Sequence, residues 1–209
     1  FLDWLGRRIV SGPMLFGASF RANGNLLSQW RGYSVHGKGV SLGFDPFAIA
    51  RRANAQGFSV GRCIYDPRVQ ERLIEEVIDG VEKLAGEPEG AGQEAQERFQ
   101  HIEEDLLRIA AVLKHPAFEE EQEWRIVSPI IPSAHHPAVH FREGASMIVP
   151  YFAFRLAADD APGVSLNHVY IGPSSNAELS MHSLRLYLEQ QNAAPRDGIR
   201  YCQIPYRKR

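Results

Sequence analysis

The run Lys114-His115-Pro116-Ala117-Phe118-Glu119-Glu120-Glu121-Gln122-Glu123-Trp124-Arg125-Ile126-Val127 holds the densest set of side chains able to do chemistry. Read as a strand from Glu121 to Ile131, its alternation places Glu121, Glu123 and Arg125 on one face and Gln122, Trp124 and Ile126 on the other, with Trp124 and Ile126 expected to anchor in the core. Two carboxylates two residues apart on a strand stand roughly 7 Å from each other. That spacing lets both act on one ligand in different roles, and the two are expected to point together into a cleft. The same residues also describe a solvated face on which the carboxylates pair with Arg125 and neighbouring cations.

A second pattern is Ser19-Phe20 followed by Leu27-Ser28-Gln29-Trp30-Arg31-Gly32-Tyr33. On a short helix Trp30 packs inward while Arg31 points elsewhere, free to meet a carboxylate or phosphate with its two-pronged guanidinium. Gly37-Lys38-Gly39 lacks the Lys-Ser or Lys-Thr of a phosphate loop and reads as a hairpin. His135-His136 and His140 are separated by Pro137 in a loop with poor ligand geometry, so no metal is expected. No Gly-x-Ser-x-Gly elbow occurs, and neither Cys63 nor Cys202 sits among groups that would activate a thiol.

Elements must position these side chains. Pro13 and a polar turn bound a strand over Met14 to Phe20, and Val40 to Phe44 and Phe58 to Tyr65 read as further strands. Asp45-Pro46 and Asp66-Pro67 each set an acceptor before a proline suited to a first helical turn. From Pro67 the spacing of Val69, Leu73, Val77, Val81 and Leu84 gives a helix with one buried stripe. A break over Gly86 to Gly92 precedes a second stripe of Phe99, Ile102, Leu106, Ile109 and Leu113. Strands at His140 to Arg142, Ser146 to Arg155 and His168 to Gly172, a helix begun by Ser175-Asn176-Ala177-Glu178, and a strand at Ile199 to Ile204 complete the chain. The expected class is α+β: a mixed, mostly antiparallel sheet with flanking helices, in a single domain over 1–209 with a helical hairpin inserted at 67–114.

The 209 residues, 44% of them hydrophobic, suffice for a core. A net charge of -2 argues against a dedicated duplex-DNA binder, although the closing Tyr206-Arg207-Lys208-Arg209 is locally basic. No run approaches the roughly 18 to 20 apolar residues of a membrane span. Two distant cysteines fit a reducing compartment, and a cytoplasmic location is expected. Because the chain opens on Phe1 and reaches a strand at once, an N-terminal segment is expected to be missing.

Taken in order, Ala18-Ser19-Phe20, Leu27 to Tyr33, Gly37 to Val40, Gly43-Phe44, Lys114 to Phe118, Glu121 to Arg125, Val149-Pro150-Tyr151, Ile171-Gly172-Pro173 and Ile204 to Arg207 resemble a bacterial family known as domain of unknown function twenty-nine seventy-one. Members begin with a segment similar to Leu-Tyr-His-Tyr-Thr and carry a downstream Asn-Asp, neither of which occurs here. Arg21 stands where many have a second small hydroxyl residue. The order of the pieces is also similar, more weakly, to the ADP-ribosyltransferase superfamily. That resemblance implies an NAD-consuming enzyme, a bacterial toxin or phage-defence effector modifying protein or nucleic acid, with NAD as substrate and a cognate antitoxin or immunity protein as partner. It implies that Glu123 is the essential carboxylate and Glu121 acts on the acceptor, while Ser19, with Arg31 and Tyr33, binds the nucleotide. The competing expectation is a non-catalytic ligand- or protein-binding module in which Glu121, Glu123 and Arg125 form a polar ladder.

Overall fold

A computed structural model describes residues 13–34, 39–85, 104–157, 163–173 and 176–204, and at 81, 82, 84 and 85 the backbone alone. The class is α+β, and among the described residues the strands divide among three sheets, two of three strands and one of two. The chain forms two compact units. One holds the described parts of Phe1–Ala22 and Gly57–Ala153; the other holds those of Asn23–Gln56 and Phe154–Arg209.

In the first unit, β1 (Gly17–Arg21) and β3 (Ser59–Arg62) flank β4 (Glu123–Val127), both antiparallel to it. The register sets Ser19 opposite Arg125 and Arg21 opposite Glu123, and on the other side Gly61 opposite Arg125. Helix α3 (Pro67–Ala85) starts where the Asp-Pro pair predicts, with the Asp66 carboxylate accepting from the Arg68 amide at 2.9 Å. A second helical stretch, α4, covers 104–112 and buries Leu107. The expected break at Gly86 to Gly92, and Phe99 and Ile102 of the second stripe, lie outside the described residues. A 3-10 turn over Pro116–Glu121 then leads into β4 through Gln122, whose φ of 41° is left-handed. A hairpin of β5 (Val139–Glu143) and β6 (Ile148–Phe152) places Phe152 5.3 Å from Phe58, edge to face, in the unit's core.

In the second unit, β2 (Val40–Gly43) lies antiparallel to β7 (His168–Ile171), which pairs in parallel with β8 (Ile199–Tyr201). Parallel neighbours need a crossover, and α5 (Ala177–Gln190) supplies it. Leu188 of this helix packs with Leu166, Val169 and Ala193 to form the core, edged by Phe44, Leu184 and Ile199. The His168 ring occupies the space where a Cβ at Gly43 would stand, so β2 and β7 approach as they do only because position 43 has no side chain. Helix α1 (Leu27–Tyr33) carries Trp30 inward, 4% exposed, its indole donating to Asn25 Oδ1 at 2.9 Å. Helix α2 (Pro46–Ala55) is capped by Asp45, which accepts from the amides of Phe47 and Ala48. Among the described residues no helix is long and apolar enough to cross a membrane.

The structure corrects two local expectations. Glu121 ends the 3-10 turn and is not on the strand, because the left-handed Gln122 breaks the extended backbone between the two glutamates. Trp124 is 46% exposed, whereas Ile126, on the same face, is 1% exposed. The register explains this: Ile126 lies between Ala18 and Val60, whereas Trp124 lies between Phe20 and Arg62, at the rim of the sheet. The opposite face of β4 turns Glu123 and Val127 inward, at 1% and 3% exposure.

Candidate functional site

The cluster around Glu123 lies within the first unit and is built by the β1–β4 register. Glu123 Oε1 accepts from the Ser19 hydroxyl across the strand pair and from Arg125 Nε at 2.8 Å along its own strand. Its other oxygen, Oε2, meets the Lys114 ammonium and, at 3.4 Å, Arg21 Nη1. Although Glu121 arrives by the turn, it reaches the same cations: its Oε2 lies 2.5 Å from Lys114 Nζ and 2.6 Å from Arg21 Nη2. The main chain is fixed as well, since the Glu123 amide donates to the Tyr65 hydroxyl at 2.9 Å and the Cys63 amide donates to the Glu123 carbonyl at 2.8 Å.

Three cations therefore surround two carboxylates, a local charge of +1. Burial alone would push the Glu123 carboxyl up, but hydrogen bonds from Arg125, Lys114 and Ser19 overcome it and hold the group down at about 2. Glu123 is a carboxylate at neutral pH. Burial opposes the charge of Lys114 too, and its bonds to Glu121 and Glu123 raise its pKa nonetheless. Arg125 follows the same pattern through Glu123. The Cys63 thiol is pushed up by burial, against the nearby Arg125 charge, so it stays protonated and unreactive.

Beside the cluster lies a cavity of about 280 Å³ lined by Leu15, Phe16, Gly17, Ser19, Ala111, Arg125 and Val127. Arg125 is oriented toward it by Glu123 and by donating through Nη1 to the Ala111 carbonyl of α4. The cavity thus presents a hydroxyl and a guanidinium on an otherwise apolar wall. Glu121 and Glu123 do not line it, and both are covered by Lys114 and Arg21.

Of the residues predicted from sequence, Ser19, Glu121 and Glu123 come together. Arg31 and Tyr33 sit on exposed positions of α1 in the second unit, and the cluster is formed without them. Sequence reasoning missed Lys114, Arg21 and Tyr65 as members. Only Lys114 left a trace, as the cation that opens the acidic run; Arg21 is brought in by strand pairing and Tyr65 by the stretch between β3 and α3. Gly37-Lys38 and the basic tail from Pro205 lie outside the described residues. Among the described residues no three His, Cys, Asp or Glu side chains are grouped so as to hold a metal ion.

No curated protein and no solved structure matches the chain. From Gln29 on α1 to Ile126 on β4, and so through Lys114, Glu121, Glu123 and Arg125, residues 29–126 match the family described as "Protein of unknown function (DUF2971)".

Proposed function

We propose that the Ser19–Glu123 pair is the centre of an NAD-consuming site of the ADP-ribosyltransferase kind, acting on a protein or nucleic-acid acceptor. The observation that supports this reading is the hydrogen bond from the Ser19 hydroxyl to Glu123 Oε1, which joins the serine strand to the glutamate strand. In the proposed reaction the bond between ribose C1′ and the nicotinamide nitrogen breaks, and nicotinamide leaves with the electron pair. Positive charge grows on the ribose, and a carboxylate already ionised and fixed in place offsets it without reorganising. Water or an acceptor nucleophile then bonds to C1′ and gives up a proton, for which Glu121 is the nearby base. Ser19 and Arg125 line the cavity that admits the ligand, and the hydroxyl fixes the carboxylate's orientation.

A second reading has its own support. Glu123 is 1% exposed and both of its oxygens are engaged, as in a binding module whose carboxylates only position Arg125 and Ser19. NAD labelled separately in nicotinamide and adenine, assayed with protein and nucleic-acid acceptors, separates the two. The enzyme reading expects nicotinamide release that falls at least about a hundredfold in Glu123→Gln, and label transfer that falls more than nicotinamide release in Glu121→Gln. Saturable NAD binding without nicotinamide release, equal in wild type and Glu123→Gln, would establish the binding module.

A further inference from the structure

Two cations span both carboxylates, and they are held differently. Arg21 is fixed on β1 opposite Glu123 by strand pairing. Lys114 is anchored only through its main chain, its amide donating to the Ile64 carbonyl at 3.1 Å and its carbonyl accepting from Gln70 Nε2 at 2.8 Å. Its side chain projects from the base of the turn that ends at Gln122.

That turn has little else to hold it. The amides of Phe118 and Gln122 donate to His115 and Glu119, and the Ala117 amide to His115 Nδ1, so these bonds close within the turn. Residues 115–120 are all exposed. Six residues of 3-10 geometry have almost no stability of their own. What fastens the turn is charge: Glu121 bonds Arg21 and Lys114, and the Lys114 ammonium lies 5.2 Å from the Phe118 ring centroid, within cation–π range.

We propose that Lys114 is a positioning residue that latches the Pro116–Glu121 turn over Glu123 and competes with the ligand for Glu123 Oε2. The inference rests on Glu123 being the ligand-contacting carboxylate. Lys114 bridges Glu121 Oε2 and Glu123 Oε2, so a ligand hydroxyl arriving at Glu123 displaces the ammonium from one partner and leaves it on the other. The lysine never has to carry an unpaired charge, which keeps the switch inexpensive. Closed, the lysine fills the place of the ligand; open, it stays with Glu121 and the turn.

Lys114→Met leaves Arg21 and Arg125 against Glu121 and Glu123, two charges against two, so folding is retained. Two measurements on the full chain test the latch. The first is hydrogen exchange of the Phe118 and Gln122 amides, which should speed up at least about tenfold in Lys114→Met, as expected for loss of charge-assisted bonds, and stay slow in Lys114→Arg. The second is NAD turnover, where KM should drop by a similar factor with kcat changed less, and methylammonium should become a competitive inhibitor of the methionine variant only. Exchange that is unchanged, or that rises evenly over β1, β3 and β4, would overturn the latch, as would a KM that is unchanged or raised. Absence of NAD turnover in the wild type would remove the enzyme reading while the exchange measurement still decided whether Lys114 fastens the turn.

Discussion

Among the described residues, Glu123 ties stability to pH most sharply. Its carboxyl is held at about 2 in the fold against an ordinary value of 4.5. A folded pKa below the unfolded one means that, as pH falls, the unfolded chain takes up the proton first. The stabilisation is therefore complete above about pH 5 and disappears between there and pH 2. A difference of about 2.5 pKa units is worth about 3 kcal/mol at neutral pH, of which about 2 kcal/mol is gone by pH 3. Because the side chain is sealed from solvent, little screening reduces this figure. Glu123→Gln removes the titration while keeping the shape. Urea unfolding of both proteins at pH 6 and pH 3 gives two stability differences, and taking the change between them cancels the titrating groups remote from Glu123, which the substitution leaves unperturbed. That change should be about 2 kcal/mol, with the variant closer to wild type at pH 3. A difference that is the same at both pH values would refute the account, because it would mean the surrounding cations do not hold the carboxyl low.

The other predictions test the packing and capping of the two units. Asp45→Ala removes the acceptor for the Phe47 and Ala48 amides and should cost about 1 kcal/mol in urea unfolding; Asp45→Asn should restore most of it. Ile126→Ala empties a site only 1% exposed in the central strand and should cost about 2 to 5 kcal/mol, read in the same way. Cys63 and Cys202 are buried free thiols, so an aromatic disulfide reagent should react with both only at the rate of unfolding, and with two equivalents per chain in denaturant.

Much of the fold was legible because its signals are local. A proline preceded by aspartate marks α2 and α3 at their first residues, since cap and ring act within one turn. Turn residues on either side of short apolar runs located the strands to within a few positions. The partition into three sheets was not legible, because which strands pair depends on partners a hundred residues apart, as with Ser19 and Arg125. Trp124 shows the same limit. Alternation correctly puts it on the face of Ile126, but only the register shows that Ile126 is flanked by Ala18 and Val60 while Trp124 reaches the rim beside Arg62.

The cluster itself was half legible, for a reason that lies in the backbone at Gln122. Two glutamates two residues apart suggest one strand face, and strand spacing would keep them roughly 7 Å apart, each free to find its own partner. Instead the left-handed residue between them ends the extended geometry, so that Glu121 comes in from the turn and shares Lys114 and Arg21 with Glu123. No pattern of residue types announces a positive φ at a glutamine, which adopts it at an energetic cost of about 1 to 2 kcal/mol. The shared cations offset that cost, and they couple the turn to the buried carboxylate. A strand that simply ran on from Glu121 would have left Glu121 independent of Glu123; the break at Gln122 lets the two carboxylates share Lys114 and Arg21.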